Sequence, residues 1–298
     1  YSVLGYVNLW LKTYFPKEWL AACLESDYTR KNGSQEEDNF QKNIEAAIDM
    51  RVDILPPDVN KSTDQFEATD KGILIALQSL TNVGEKPAKE IIANRPYESL
   101  ENFLSKVDQR IVSKRVMESL ILSGAFDELH PELTRAQLMK KYLELKNGKT
   151  LEEEQGKQLK KPTKSGKAFI NEILSYIEAE QEQGEELFNY KNEIKYFGYA
   201  LKSNPLKRYG YKPFEERAED ETAYVNGLIH SVREIKDRRG KPMAFVTIQT
   251  LKERVNAVFF SNQWAKFKDE LNKSKCFMFI GTKSKDNLLV NKIKTLGA

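Results

Sequence analysis

Cysteine and histidine are scarce: the 298 residues hold two of each, Cys23 and Cys276, His130 and His230. Cysteines so far apart, with no metal-type spacing, argue against a Cys/His zinc site. Their scarcity fits a reducing compartment, and the expected location is cytoplasmic. No apolar run reaches membrane-spanning length, and no signal-peptide pattern opens the chain. Neither sign of charge is in excess: 47 Lys and Arg stand against 44 Asp and Glu, a formal net charge of +3. Bulk charge therefore does not identify a nucleic-acid partner, and any electrostatic argument must be local. No nucleophile–base pair, phosphate loop or metal cluster stands out, so no catalytic or metal-binding residue is assigned.

What is present is length for two or three domains and a clear change of grammar along it. Leu4, Val7 and Leu11, then Trp19, Leu20, Cys23 and Leu24, recur at helical spacing, broken by Pro16. Tyr1 already stands inside this pattern, as in a piece of something longer. After a polar interruption at Asp27–Asp38, Phe40, Ile44, Ala47 and Ile48 mark another helix. "DILPPDVNKS" is extended, and "QFEAT" with "GILIAL" reads as a short hairpin. Further helices are expected at Pro87–Asn94, Ser99–Val107 and Ser113–Leu122, then across a charged stretch from 132 to 190. Within that stretch "GKQLKKPTKSGK" (Gly156–Lys167) has five lysines and no acid, and is expected as an exposed loop. After Glu221 the period becomes two. "YVNGLIHSV", "MAFVTIQT", "RVNAVFF", "CFMFIGT" and "NLLVNKI" are five short strands, with helical "NQWAKFKDEL" after the third, the order of an OB-fold barrel.

The stretch Leu80–Ile92, "LTNVGEKPAKEII", holds the most pointed chemistry. Leu80 and Val83 flank Asn82, Gly84 follows, and Pro87 sits where a first helical turn tolerates it. Asn82 stands where a positive φ would favour glycine, and asparagine tolerates that angle best among the alternatives. A tight turn before a helix start presents backbone N–H donors that suit an anion such as phosphate, with Lys86 alongside. A plain packing corner explains the same residues about equally well.

This stretch resembles the helix-hairpin-helix motif, which grips the DNA backbone through hairpin amides. The usual pattern has two glycines around an apolar residue, and Asn82 replaces the first. The resemblance implies duplex contacts at Asn82, Val83, Gly84 and Lys86. A second unit follows, two helices flanking "DQRIVS". It lacks glycine, and offers Arg110, Lys114 and Arg115 as phosphate contacts.

Ordered phrases covering nearly the whole chain resemble the alpha subunit of bacterial DNA polymerase III, DnaE type, in its C-terminal portion. They are "YSVLGYVNLWLKTYFPKEWLAACLES", "ILPPDVNKS", "LQSLTNVGEKPAKEII", "VSKRVMESLILSGAFDEL", "FGYALKSNPL" and "VNGLIHSVREIKDRRGKPMAFVTIQT". The divergent loop and the lysine-rich insertion point to a distant, phage-encoded member. The resemblance implies a multidomain chain, α-helical with tandem helix-hairpin-helix and then a β-barrel OB-fold. Its parts would be the end of the fingers (1–62), the helix-hairpin-helix region (63–131), a charged helical linker with a lysine-rich loop (132–221) and the OB-fold (222–298). It also implies that the palm carboxylates and their magnesium ions lie upstream. This fragment would carry no cofactor and would be inactive alone in nucleotidyl transfer, within a parent DNA-directed DNA polymerase.

Expected partners are duplex and single-stranded DNA, with the sliding clamp and other replisome proteins as further candidates. "GEELF" (Gly184–Phe188) resembles the clamp-docking peptide of this family, but reads better as the last turn of a helix with Leu187 and Phe188 in the core. "KDRRGK" is either a solvated turn or, on the loop between strands one and two, a single-strand contact at Lys236, Arg238, Arg239 and Lys241. Phe245, Phe259 and Phe260 are mostly core, with one ring free to stack. The rival reading is a scaffold docking replisome partners, clamp and helicase loader, with incidental DNA binding.

Overall fold

The computed structural model describes residues 1–29, 40, 42–44, 46–47, 49–160, 162–202, 204–236, 239–251, 253–271 and 275–296. Most of the loop expected at Asp27–Asp38 thus lies outside the described residues. The chain divides into two compact units, residues 1–181 with 188–203, and residues 182–187 with 204–298.

In the first unit α1 (Ser2–Tyr14) and α2 (Pro16–Thr29) break where the proline predicts. Pro16 is the first residue of α2, where a missing N–H is tolerated. α2 buries Leu20, Ala21 and Leu24, whereas α1 buries nothing. Strands β1 (Ile54–Leu55), β2 (Glu67–Thr69) and β3 (Gly72–Leu74) form a small sheet in the order β1-β3-β2, which includes the expected hairpin. Lys17 Nζ clasps that hairpin to α2 by donating to the carbonyls of Thr69 and Asp70, at 3.0 and 2.9 Å.

Helices α3 (Glu85–Ala93), α4 (Leu100–Lys106), α5 (Lys114–Ser123) and α6 (Arg135–Asn147) follow. Local chemistry sets their ends. Ser99 Oγ accepts from the amide of Asn102, Thr134 and Gln137 form a reciprocal capping box, and Gly124 stops α5 at φ 93°. Phe103 and Phe126 are fully buried and meet edge to face at 5.1 Å, with Tyr97 at 4.6 Å from Phe103. Each such side chain contributes roughly 1.5–3 kcal/mol of burial.

The stretch expected as a linker packs into this same core through Ala136, Met139, Tyr142, Leu143, Phe169 and Ile173. Its lysine-rich segment is not a loop throughout: α7 (Leu151–Lys160) runs into it and α8 (Lys164–Gln183) starts inside it. Lys, Gln and Leu are good helix formers. The break is bridged by Gln158, whose carbonyl oxygen accepts from the Thr163 amide at 2.7 Å. Gly184, at φ 79°, separates α8 from α9 (Glu185–Phe197). "GEELF" is therefore the first turn of a helix rather than the last, although Leu187 and Phe188 are buried as expected. Glu193 on α9 is fully buried and binds the Arg135 guanidinium at 3.0 Å, with Asp127 as the second partner at 2.8 Å.

The second unit is a closed barrel of β4 (Thr222–Lys236), β5 (Pro242–Gln249), β6 (Arg254–Phe259), β7 (Cys276–Ser284) and β8 (Asn287–Thr295). Its order, β4-β5-β6-β8-β7, closes because β4 pairs with β5 along its second half and with β7 along its first. α10 (Ser261–Phe267) follows the third barrel strand, as the periodicity predicts. Val225, Ala244, Val246, Ile248, Phe259, Phe277 and Phe279 fill the interior. Alternate residues on the same strands face outward.

Candidate nucleic-acid interface

The bend at Leu80 to Lys86 opens on a single 3-10 turn, Leu77–Ser79, rather than on a full helix. Asn82 adopts φ 68°, the left-handed conformation its identity predicts. Its side chain turns inward, and Nδ2 donates to Ser119 Oγ at 3.1 Å. Ser119 Oγ in turn donates to the Arg115 carbonyl at 3.0 Å, so the bend is tied to α5 one turn from Arg115. The Thr81 amide donates to the Tyr196 carbonyl at 2.7 Å, and the Val83 amide to the Leu80 carbonyl at 3.0 Å.

Val83 thus drops out as a contact: its side chain is buried and its N–H is spent closing the turn. The amides of Asn82, Gly84, Glu85 and Lys86 have no acceptor among the described residues, and all four residues are exposed. Three of them belong to the cap and first turn of α3, where orphan N–H groups and the helix dipole favour an anion. Gly84 caps that helix at φ −81°, ψ −177°, a conformation any residue adopts, and a Cβ there would meet nothing within 4 Å. Neither backbone nor packing requires this glycine. Glycine serves as an N-cap here, and without a Cβ it leaves the space over these amides open. The one acid at the turn is restrained: Lys89 holds the Glu85 carboxylate at 2.6 Å, one turn further along the helix, and lowers its pKa.

In the second hairpin, residues 107–113 join α4 to α5. Asp108 Oδ1 accepts from the Arg110 amide at 2.8 Å and shapes the turn. Arg110 and Arg115 are exposed, with no ion-pair partner among the described residues. Lys114 is not available in the same way, because Glu172 on α8 binds its ammonium group.

On the barrel, Lys236, Arg239 and Lys241 are exposed at the turn between β4 and β5. Arg238 lies outside the described residues. Phe259 is fully buried, whereas Phe245 and Phe260 are 39% and 50% exposed, so two rings rather than one reach the surface. The register places Arg233 (β4), Phe245 (β5), Val258 (β6) and Leu289 (β8) in one row, where the first two are exposed, Leu289 is half-buried and Val258 is buried, and Ser231, Thr247, Asn256 and Asn287 in the next. An exposed cation and ring lie beside a row of hydroxyls and amides, a surface that can stack bases and bind their edges. Arg233 escaped sequence reasoning, since the alternation of β4 marks it as outward but only the register puts it opposite Phe245.

Among the described residues no three His, Cys, Asp or Glu side chains gather where they could hold a metal ion. None of the described helices is long and apolar enough to cross a membrane.

The helix-hairpin-helix motif family matches residues 51–138, and the OB-fold nucleic acid binding domain family matches residues 223–294. Over 99% of its length the chain is 27% identical to a DNA polymerase III subunit alpha of Halalkalibacterium halodurans, covering 26% of that protein. The chain is homologous to bacterial DNA polymerase III alpha subunits. The Pseudomonas aeruginosa alpha subunit is 28% identical over 96% of this chain and 26% of its own length. That of Chlamydia trachomatis is 37% identical over 44% of this chain and 10% of its own. The chain therefore spans about a quarter of the curated alpha subunits it matches along its length. Both hairpins fall inside the first family match, and the β4–β5 turn and both rows fall inside the second.

Proposed function

We propose that this chain is a non-catalytic, DNA-holding part of a replicative DNA polymerase. The helix-hairpin-helix unit grips the duplex backbone without reading bases, and the barrel holds single-stranded template. One observation carries the duplex assignment: four unsatisfied amides stand exposed at one bend, anchored to the helix that presents Arg115. Amide and cation contacts to phosphates position a protein on DNA but carry no sequence information. Lys86, Arg110 and Arg115 supply the charge. Lys236, Arg238, Arg239 and Lys241, with Arg233 and Phe245, serve the single strand.

Fluorescence anisotropy with labelled duplex tests the assignment. Lys86→Glu with Arg115→Glu weakens binding at least about tenfold and lowers the salt slope by about 0.9 per lost phosphate contact. Unchanged affinity at low salt defeats the duplex assignment. Arg238→Glu with Arg239→Glu selectively weakens single-strand binding.

A second reading, a scaffold that docks replisome proteins, draws support from α1. Val3, Leu4, Tyr6, Val7, Leu9 and Trp10 are all exposed there, and so broad an apolar helix surface is ordinarily covered. The intact chain failing to bind either form of DNA in dilute salt, while capturing clamp or helicase-loader protein, favours that reading.

A further inference from the structure

The barrel has a second outward surface, away from the β4–β5 turn, that no part of the assignment above uses. It lies where the first half of β4 pairs with β7, and β7 with β8. The inward row there is Val225, Phe279 and Ile293, all in the core. On either side of it the outward rows are Tyr224–Ile280–Lys292 and Asn226–Met278–Lys294. Tyr224 is 53% exposed, and both lysines are exposed with no ion-pair partner among the described residues. Lys292 and Lys294 are two residues apart on one strand, about 6.7 Å at the usual rise. That separation is comparable with the step between successive phosphates of an extended nucleic-acid strand.

A second feature lies beside the ring. Arg217 Nε and Asn226 Oδ1 are buried without a hydrogen-bond partner among the described residues, and both side chains line a small hollow with Tyr224, Gly210 and Lys212. The Arg217 guanidinium is held there by its other nitrogen, which donates to the Tyr224 carbonyl at 2.8 Å. An orphan donor and an orphan acceptor lining one hollow call for a partner that is both donor and acceptor.

We propose that this β4–β7–β8 face is a second contact site for single-stranded nucleic acid, which extends the strand's path beyond the β4–β5 turn. Lys292 and Lys294 take consecutive phosphates, Tyr224 stacks a base, and Arg217 with Asn226, too deep for direct contact, meets that base's polar edge through a water. An acidic peptide would satisfy the lysines but would leave the exposed ring without a role, so the nucleic acid is the better fit. The proposal rests on the barrel's binding single strands at all, and its test keeps the two claims apart.

The test uses the full chain and oligothymidylates of about 6 and about 18 nucleotides, chosen around the site sizes of single barrels. Lys292→Glu with Lys294→Glu leaves the short oligomer's affinity unchanged, weakens the long one about tenfold, and lowers its salt slope by about 1.4, or 0.7 per phosphate. Tyr224→Ala weakens the long oligomer at least about fivefold without changing the salt slope. Long-oligomer affinity and slope that survive the lysine reversals, while Lys236→Glu with Lys241→Glu still weakens both lengths, overturn this proposal and leave the β4–β5 site standing. No effect from either pair removes both. Long-oligomer binding that is unaffected while poly-glutamate binding is lost overturns it in favour of an acidic peptide.

Discussion

Gly84→Ala separates what the fold needs from what a phosphate needs. The glycine sits at φ −81°, ψ −177°, and an added Cβ meets nothing within 4 Å, so alanine fits without strain. Removing glycine's freedom in the unfolded chain stabilises by about 0.4–1 kcal/mol, and the poorer capping of alanine at this N-cap offsets that gain, so the fold's stability changes by less than about 1 kcal/mol. The same methyl occupies the space through which a sugar–phosphate strand would reach the amides of Gly84 and Glu85. A hydrogen bond to a charged group contributes about 1.5–3 kcal/mol, so losing one weakens duplex binding by about 10- to 100-fold. Urea unfolding and duplex anisotropy on the same sample give both numbers. Gly72→Ala is the control of opposite sense: its φ is 151° and a Cβ would run into the Asp53 carbonyl, so that change destabilises the fold. A Gly84→Ala protein that is less stable by more than about 1 kcal/mol, or that binds duplex as tightly as the parent, refutes the reasoning.

Other substitutions probe the supports. Asn82→Ala forces alanine to φ 68° and drops the bond to Ser119, a loss of about 2 kcal/mol, whereas Asn82→Gly loses the bond but not the angle and destabilises less, as urea midpoints would show. Arg135→Met takes the charge partner from the fully buried Glu193 carboxylate, which keeps the Leu201 and Lys202 amides as donors, and destabilises by about 3 kcal/mol, while Glu193→Gln, an uncharged acceptor, is milder. The hydrogen bond from Lys141 holds the Glu101 pKa at about 2, against an ordinary 4.5. The folded value is the lower one, so this stabilisation is present above about pH 4.5 and is lost as pH falls toward 2. Because Glu101 is largely exposed its share is small, and Glu101→Gln flattens the acid limb of the stability–pH curve only slightly.

Much of this was legible because local chemistry agreed with the fold. Pro16 and the five alternating runs mark their own boundaries, and Asn82 announces its positive φ. What was not legible depends on contacts between distant residues. Nothing in "KRVMESL" says that Glu172, far along the chain, holds Lys114, or that Ser119 anchors Asn82. Val83 looked like part of the grip because sequence gives the turn but not which of its amides close it. The lysine-rich segment looked like a loop because its charge and its Pro and Gly hid helix formers on either side of one short break. The outward rows of the barrel needed the register, which a period of two supplies only to within a shift.

Amide hydrogen exchange at the bend, followed by nuclear magnetic resonance with and without duplex, tests the central claim most directly. Gly84, Glu85 and Lys86 exchange freely in the chain alone and slow sharply once DNA is added, while Thr81 and Val83, already bonded to carbonyls, change little. Exchange at Gly84 to Lys86 that is the same with saturating duplex as without it contradicts the account.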